Sequence, residues 1–384
     1  MKLRRSLYAR NFDWLIVIII TGIVCISLLM LANASFNPFN ETGATGAVSI
    51  IQRIDFKYVI LQSLWYLLGL VAMCFIMFVD YHTLAKYGKL IYAVNVLVLL
   101  TLLILGKTTR GIKGWFTIGE RGFQPSEVCK ITIIIFIGRL ISRKIEERGD
   151  TELNLYDLLP IIIYFAIPFI LVVMQPDFGT AMVYVASFGG MLFMAKIDKK
   201  IILGGIVALI VLIPIAWLLL ADWQKARITG LFQGGGEGME QVESSKMLIG
   251  SGKIVGKGFF REGTLAQLNF LAEKHTDFIF AFVVETTGWI GGMVVILLYF
   301  AMLARILFLA QHAGDVYGKV IGVGVLFMFI AHIFENIAMT MGVMPVTGIP
   351  APFLSYGGSS MLANMMAIGL LESVAMRRDA QYRN

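Results

Sequence analysis

Apolar runs recur along the whole chain, at about 14 to 31, 59 to 79, 88 to 106, 128 to 142, 158 to 174, 179 to 195, 200 to 220, 278 to 303, 320 to 342 and 357 to 376. Most approach the roughly 20 residues that a helix needs to cross a hydrocarbon core. Within lipid, a spanning segment must satisfy its own backbone groups, which restricts it to helices or a closed barrel. The pattern predicts an all-α polytopic membrane protein with about ten transmembrane helices and a single integral membrane domain over residues 1–384. With 58% hydrophobic and 15% charged residues and a mean hydropathy of +0.80, no polar block is large enough for a separate soluble domain.

Basic residues set the expected orientation. Residues 2–10 are rich in Lys and Arg and precede the first apolar run, which reads as an uncleaved anchor although Ala32-Asn33-Ala34 mimics a signal-peptidase site. With that end inside, the connections in the 80s, at 139–148, 196–200 and 305–319, and the tail from Arg377 are cytoplasmic, and each carries Lys or Arg. Both termini then lie in the cytoplasm. The formal charge of +7 is scattered through short loops, which favours anionic membrane lipid as a partner and argues against nucleic acid. Cys25, Cys74 and Cys129 lie in or beside apolar runs and suggest neither a disulfide framework nor a zinc site.

The opposite face is expected to hold 34–58, 107–127, 175–178, the long segment 221–277, and 343–354. Lys107, Arg110, Lys113 and Arg121 break the charge rule there, so an anion could be held by that loop. In Gln124-Pro125-Ser126-Glu127, Pro125 suits a first helical turn, and Glu127 and Lys130 share a helix face. They could pair, or Lys130 could reach a phosphate. Gln175-Pro176-Asp177 repeats this grammar at another helix start; capping explains either one, and the two together suggest a shared polar cavity. Gly250-Ser251-Gly252-Lys253-Ile254-Val255-Gly256-Lys257-Gly258 fails the phosphate-loop spacing. Its glycines, with 234–238, are expected to make turns in a loop that covers a groove and moves over it. Three prolines at 345–352 imply irregular backbone packed on protein or lining a cavity, with Glu335 and Asn336 supplying a polar interior.

In Leu271-Ala272-Glu273-Lys274-His275-Thr276-Asp277-Phe278, Asp277 is the last of a polar series before an apolar run. At the first turn of a helix its ionised form faces open N–H groups, which suits a general base. The rival reading is that Thr276 and Asp277 only cap the helix.

Taken together, the stretches 111–116, 124–130, 175–181, 249–258, 271–288 and 345–360 resemble the SEDS proteins, the RodA, FtsW and SpoVE group of bacterial cell-wall polymerases. The resemblance implies a ten-span fold with a long extracytoplasmic loop between spans 7 and 8, in the bacterial cytoplasmic membrane. It also implies a peptidoglycan glycosyltransferase acting on lipid II for elongation, division or sporulation, with the short tail leaning toward elongation. Asp277 corresponds to the family's essential aspartate, Trp115 to an outer-loop tryptophan, and Lys130 to the lysine after Gln-Pro-Ser-Glu. Glu127, Gln175, Asp177, Glu273, His275 and Ser355, from the same stretches, are expected to contact substrate. Lys130, Lys113 and Arg110 are expected to meet the pyrophosphate charge. A divalent cation, Mg²⁺ or Mn²⁺, could share that work, with no organic cofactor and no ligand cluster in the sequence to cage a metal. The implied partner is a class B penicillin-binding protein, a transpeptidase. Ala272, Thr286 and Ser244 depart from the usual pattern. Two rival functions are a lipid flippase, since broken helices with polar ends also mark transporters, and a scaffold without chemistry.

Overall fold

The computed structural model describes residues 11–37, 50–109, 112–118, 121–149, 151–219, 225–226, 229–230, 239–268, 270–271 and 273–378. Arg110 and the glycines at 234–238 lie outside the described residues.

Every apolar run of the sequence forms a helix. In chain order these are α1 (Trp14–Ala34), α2 (Lys57–Phe78), the short α3 (Tyr81–Lys86), α4 (Gly88–Leu105), α5 (Pro125–Arg148), α6 (Leu155–Val173), α7 (Phe178–Phe193), α8 (Lys199–Leu219), α9 (Met239–Gly252), α10 (Ile279–Gln311), α11 (Val316–Thr340) and α12 (Gly358–Arg377). Among the described residues seven helices, α1, α2, α4, α6, α10, α11 and α12, are long and apolar enough to cross a membrane. Three others coincide with the remaining runs: α5 carries Glu127, Lys130 and Arg139 among its apolar residues, α7 has 16 residues, and α8 is described only in part.

The helices divide into a buried centre and a lipid-facing rim. In its most apolar stretch α12 is 89% buried, whereas the corresponding stretch of α2, which packs on it, is 17% buried. Their close approach needs Gly369, where a Cβ would stand 2.6 Å from the Met73 carbonyl oxygen. Buried Tyr317, Val320, Ile321, Met328 and Phe329 place α11 in the same core.

Two features of the cavity-bearing end are absent from the sequence reading. The segment after α4 forms three short antiparallel strands, β1 (Lys107–Thr109), β2 (Ile112–Ile118) and β3 (Arg121–Phe123), with Lys107 opposite Trp115 and Phe116 opposite Phe123. Strands this short leave little periodicity to read. Their effect is local: Gly122 leaves room for the indole of Trp115, which a Cβ would approach at 2.8 Å.

The second feature corrects, for residues 250–258, the expectation of a moving glycine loop. Helix α10 is broken at Gly288 (φ 75°, ψ −172°), which frees backbone groups that need partners. The glycine stretch supplies them: Lys257 N donates to Glu285 O (2.9 Å), Gly258 N to Thr286 O (2.9 Å), Trp289 N to Lys253 O (2.9 Å) and Ile290 N to Ile254 O (3.3 Å). Gly252 and Gly256 permit this contact, since added Cβ atoms would come within 2.1 Å of Val284 O and 2.2 Å of Thr286 O. The stretch is therefore a strap fixed to the break in α10.

Candidate active site

The backbone on either side of Asp277 is held by side chains from distant elements. Asn336, buried in α11, donates from Nδ2 to Asp277 O and to Ile349 O, both at 2.8 Å. Ser355 Oγ donates to Thr276 O (2.6 Å) and accepts from Ala351 N (2.8 Å), while Tyr356 N donates to His275 O (2.9 Å). The Pro-rich segment thus satisfies its own polar groups by fastening to the Glu273–Asp277 turn, the burial its composition demanded. Within that turn Thr276 Oγ1 donates to Glu273 Oε2 (2.9 Å) and Phe278 N to Glu273 O (3.3 Å). α10 begins at Ile279 and its N-cap position is Phe278, so neither Thr276 nor Asp277 stands at the cap position. Asp277 precedes the first helical turn rather than standing in it.

Asp277 lines a cavity of about 290 Å³ together with Trp115 from β2, Gln124 and Glu127 at the start of α5, and Gly348, Pro350 and Tyr356 from the Pro-rich segment. Trp65, Leu61, Thr276, Gly122 and residues 357–360 complete the wall. Gln124 is set by its backbone N donating to Ser359 Oγ (3.0 Å) and its Nε2 donating to Asp177 Oδ2 (2.8 Å). Asp177 is the N-cap of α7, accepting from Thr180 N (3.2 Å), and burial raises its carboxyl above the usual range. The two polar helix starts therefore meet.

Behind the wall, Lys130 is 2% exposed and its Nζ lies 2.9 Å from Glu127 Oε2 and 2.6 Å from His332 Nε2. An ammonium only donates, so Nε2 accepts and the His332 ring carries its proton on Nδ1. Lys130 does not reach the cavity wall. Gln175 donates from Nε2 to Leu99 O (3.1 Å), and Lys113 binds the same turn through its backbone, N to Gln175 O (3.2 Å). Glu273, His275, Ser355, Asp177, Gln175 and Lys113 do not line the cavity. His275 stacks on Tyr58 with ring centroids 4.6 Å apart, and burial, with the Lys274 ammonium beside it, pushes its imidazole down to about 4. It is neutral near pH 7.

Trp65, Tyr58 and Tyr356 were not foreseen as site residues. Tyr58 and Trp65 lie near the start of an apolar run, where aromatic residues ordinarily read as an interfacial belt. Among the described residues no cluster of three or more His, Cys, Asp or Glu side chains could cage a metal. Asp277 and Glu127 both line the cavity, and two carboxylates are the kind of donors that Mg²⁺ takes alongside water and phosphates.

A family model described as cell cycle protein, spanning FtsW, RodA and SpoVE, matches residues 13–380. The chain belongs to this family. It is 31% identical over 315 residues to the peptidoglycan glycosyltransferase MrdB of Escherichia coli K12, covering 81% of this chain and 84% of that protein. It is 33% identical over 374 residues to the stage V sporulation protein E of Bacillus subtilis, covering 94% and 96%. In fold, it matches a chain from a solved structure on the coordination of polymerization and crosslinking by a peptidoglycan synthase complex, with TM-score 0.78, 24% identity and coverage of 97% and 99%. It matches Thermus thermophilus RodA with TM-score 0.67, 23% identity and coverage of 96% and 97%. The family match extends from the first helix to the last.

Proposed function

We propose that the chain is a peptidoglycan glycosyltransferase that polymerises lipid II at the outer face of the bacterial cytoplasmic membrane, with both termini in the cytoplasm. The observation that carries this reading is the convergence of Asp277, Trp115 and Glu127, from three separate parts of the chain, on one cavity at the end of the bundle opposite the basic loops. Relatives that carry the name peptidoglycan glycosyltransferase support the reaction class.

In the reaction the C4 hydroxyl of an incoming lipid II attacks the anomeric carbon of the growing chain. The new C–O bond forms as the bond to the lipid pyrophosphate breaks, and the pyrophosphate leaves with the electron pair. Asp277 takes the hydroxyl proton or holds it in place; a carboxylate so used contributes about 10²- to 10⁴-fold. Its value depends on position, and the bonds from Asn336 and Ser355 fix the backbone that carries it. Trp115 offers an aromatic face to sugar or peptide. Lys130 places positive charge behind Glu127 rather than against substrate. When bound, Mg²⁺ or Mn²⁺ would screen the leaving pyrophosphate, with Asp277 and Glu127 as the available carboxylates.

The proposed partner is a class B penicillin-binding protein, consistent with the fold shared with a chain from a peptidoglycan synthase complex. Purified chain and purified lipid II, with and without such a transpeptidase, test the reading. Glycan strands are expected, with the partner raising the yield. Vesicles in which lipid II crosses the bilayer while no strands form would replace the enzyme with a flippase.

A further inference from the structure

A second cavity, of about 440 Å³, is lined by Lys253, Lys257 and Arg261, with Glu262 and the hydroxyls of Ser251 and Thr264, and shares no residue with the cavity of Asp277. Its charges do not cancel. Glu262 is held by Arg53 (3.0 Å) from the opposite side, and Lys257 is neutralised by the buried Glu285 (2.8 Å), so Lys253 and Arg261 remain as excess positive charge. Both are exposed.

The position of this cavity says what meets those cations. Lys253 and Ile254 accept the backbone N–H groups of Trp289 and Ile290, the first two residues beyond the break in α10. From there α10 turns an apolar face outward, with Trp289 at 62%, Leu297 at 58% and Phe300 at 70% exposure. An exposed Trp at the head of such a face marks the membrane–water interface. Ile254 and Val255, 65% and 75% exposed beside the cavity, make a bare apolar tip of the kind that inserts among acyl chains. Cations above an apolar tip at interface depth match a phosphate headgroup with its chains below.

We propose that the strap at residues 253–261 binds the phosphate headgroup of an anionic phospholipid in the adjacent leaflet, with the acyl chains lying along the Trp289 face of α10. The shared chemistry is a lipid-borne phosphate. A polyprenyl phosphate offers the same group, but this cavity shares no lining residue with the reacting one, so the bulk phospholipid is the assigned occupant.

The test uses the full chain in phosphatidylcholine vesicles and the quenching of Trp289 by bromine-labelled lipid chains, with Trp289→Phe isolating that signal from the other tryptophans. Brominated phosphatidylglycerol should quench at far lower mole fraction than brominated phosphatidylcholine. Each interfacial Lys or Arg contributes about fivefold to anionic lipid binding, so Lys253→Gln with Arg261→Gln should weaken the preference by roughly 25-fold. Lys253→Glu alone serves if the double variant fails to fold, and should likewise abolish most of the preference. Equal quenching by the two lipids, an unaltered preference in a folded variant, or displacement of phosphatidylglycerol by undecaprenyl phosphate or by inorganic phosphate alone would overturn the assignment.

Discussion

The Asp277 cavity and the Lys253 cavity lie at the same end of the bundle, yet the first is walled by side chains fixed from behind and the second by exposed cations on a strap. Around Asp277 the polar groups of the Pro-rich segment and of the Glu273–Asp277 turn bond to each other and to Asn336. Around Lys253 the backbone is equally fixed, by its bonds to the break in α10, while Lys253 and Arg261 are exposed, Arg261 donating from Nη1 to Lys257 O (3.2 Å). The contrast follows from what each site must do. Proton transfer and bond formation depend on placement to within an ångström, whereas attraction of a phosphate headgroup needs charge at the right depth and tolerates movement.

This contrast can be broken at several points. The largest effect is expected for Asn336→Leu, which removes two buried bonds and orphans the Asp277 and Ile349 carbonyls. At about 1–3 kcal/mol for each orphaned group, turnover should fall at least 100-fold while lipid quenching at Trp289 is unchanged, measured on folded protein. Activity within twofold of wild type would sever the clamp from the chemistry.

Acidification should act on the same cavity through His275. Its folded-state value of about 4 lies below the ordinary 6.5, so the unfolded chain takes up the proton first as pH falls. The contribution is intact above about pH 6.5 and is lost progressively toward about pH 4, amounting to about 3 kcal/mol. Melting in detergent at pH 7.5 and 4.5 checks this: the drop should be clearly smaller in His275→Gln, and an equal drop would remove His275 from the account.

Ser355→Ala loses one hydroxyl that bridges Thr276 O and Ala351 N. About 1–2 kcal/mol, or roughly tenfold in turnover, is expected. The smallest effect belongs to the other cavity: Lys253→Gln with Arg261→Gln should leave polymerisation in detergent within about twofold. A large loss there would mean that the strap takes part in the reaction.

Hydropathy located the helices but not their neighbours. α12 and α2 both read as apolar runs, although one is 89% and the other 17% buried in its most apolar stretch. Lipid tails are as apolar as a protein core, so the same composition serves both places. Asp277 and Glu127 stood out because charge at a membrane edge needs a reason, whereas Trp115 was marked only by the resemblance of its stretch to the SEDS proteins. Trp65 and Tyr58 did not, since the same residues at a helix start serve as interfacial anchors. Lys130 was legible as Glu127's partner by its spacing of three, whereas its contact with His332 joins residues 202 apart. Gly256 looked like part of a flexible turn because glycine's freedom is visible in sequence and the backbone it must approach is not.

The most direct measurement is lipid II polymerisation by the wild-type chain and by Asp277→Asn, both with the transpeptidase bound and both shown to be folded by melting. Strands from the wild type and at least a 100-fold loss in the variant are the result this account predicts. Equal strand yield from the two proteins would remove Asp277 from the reaction and leave its cavity a binding site only.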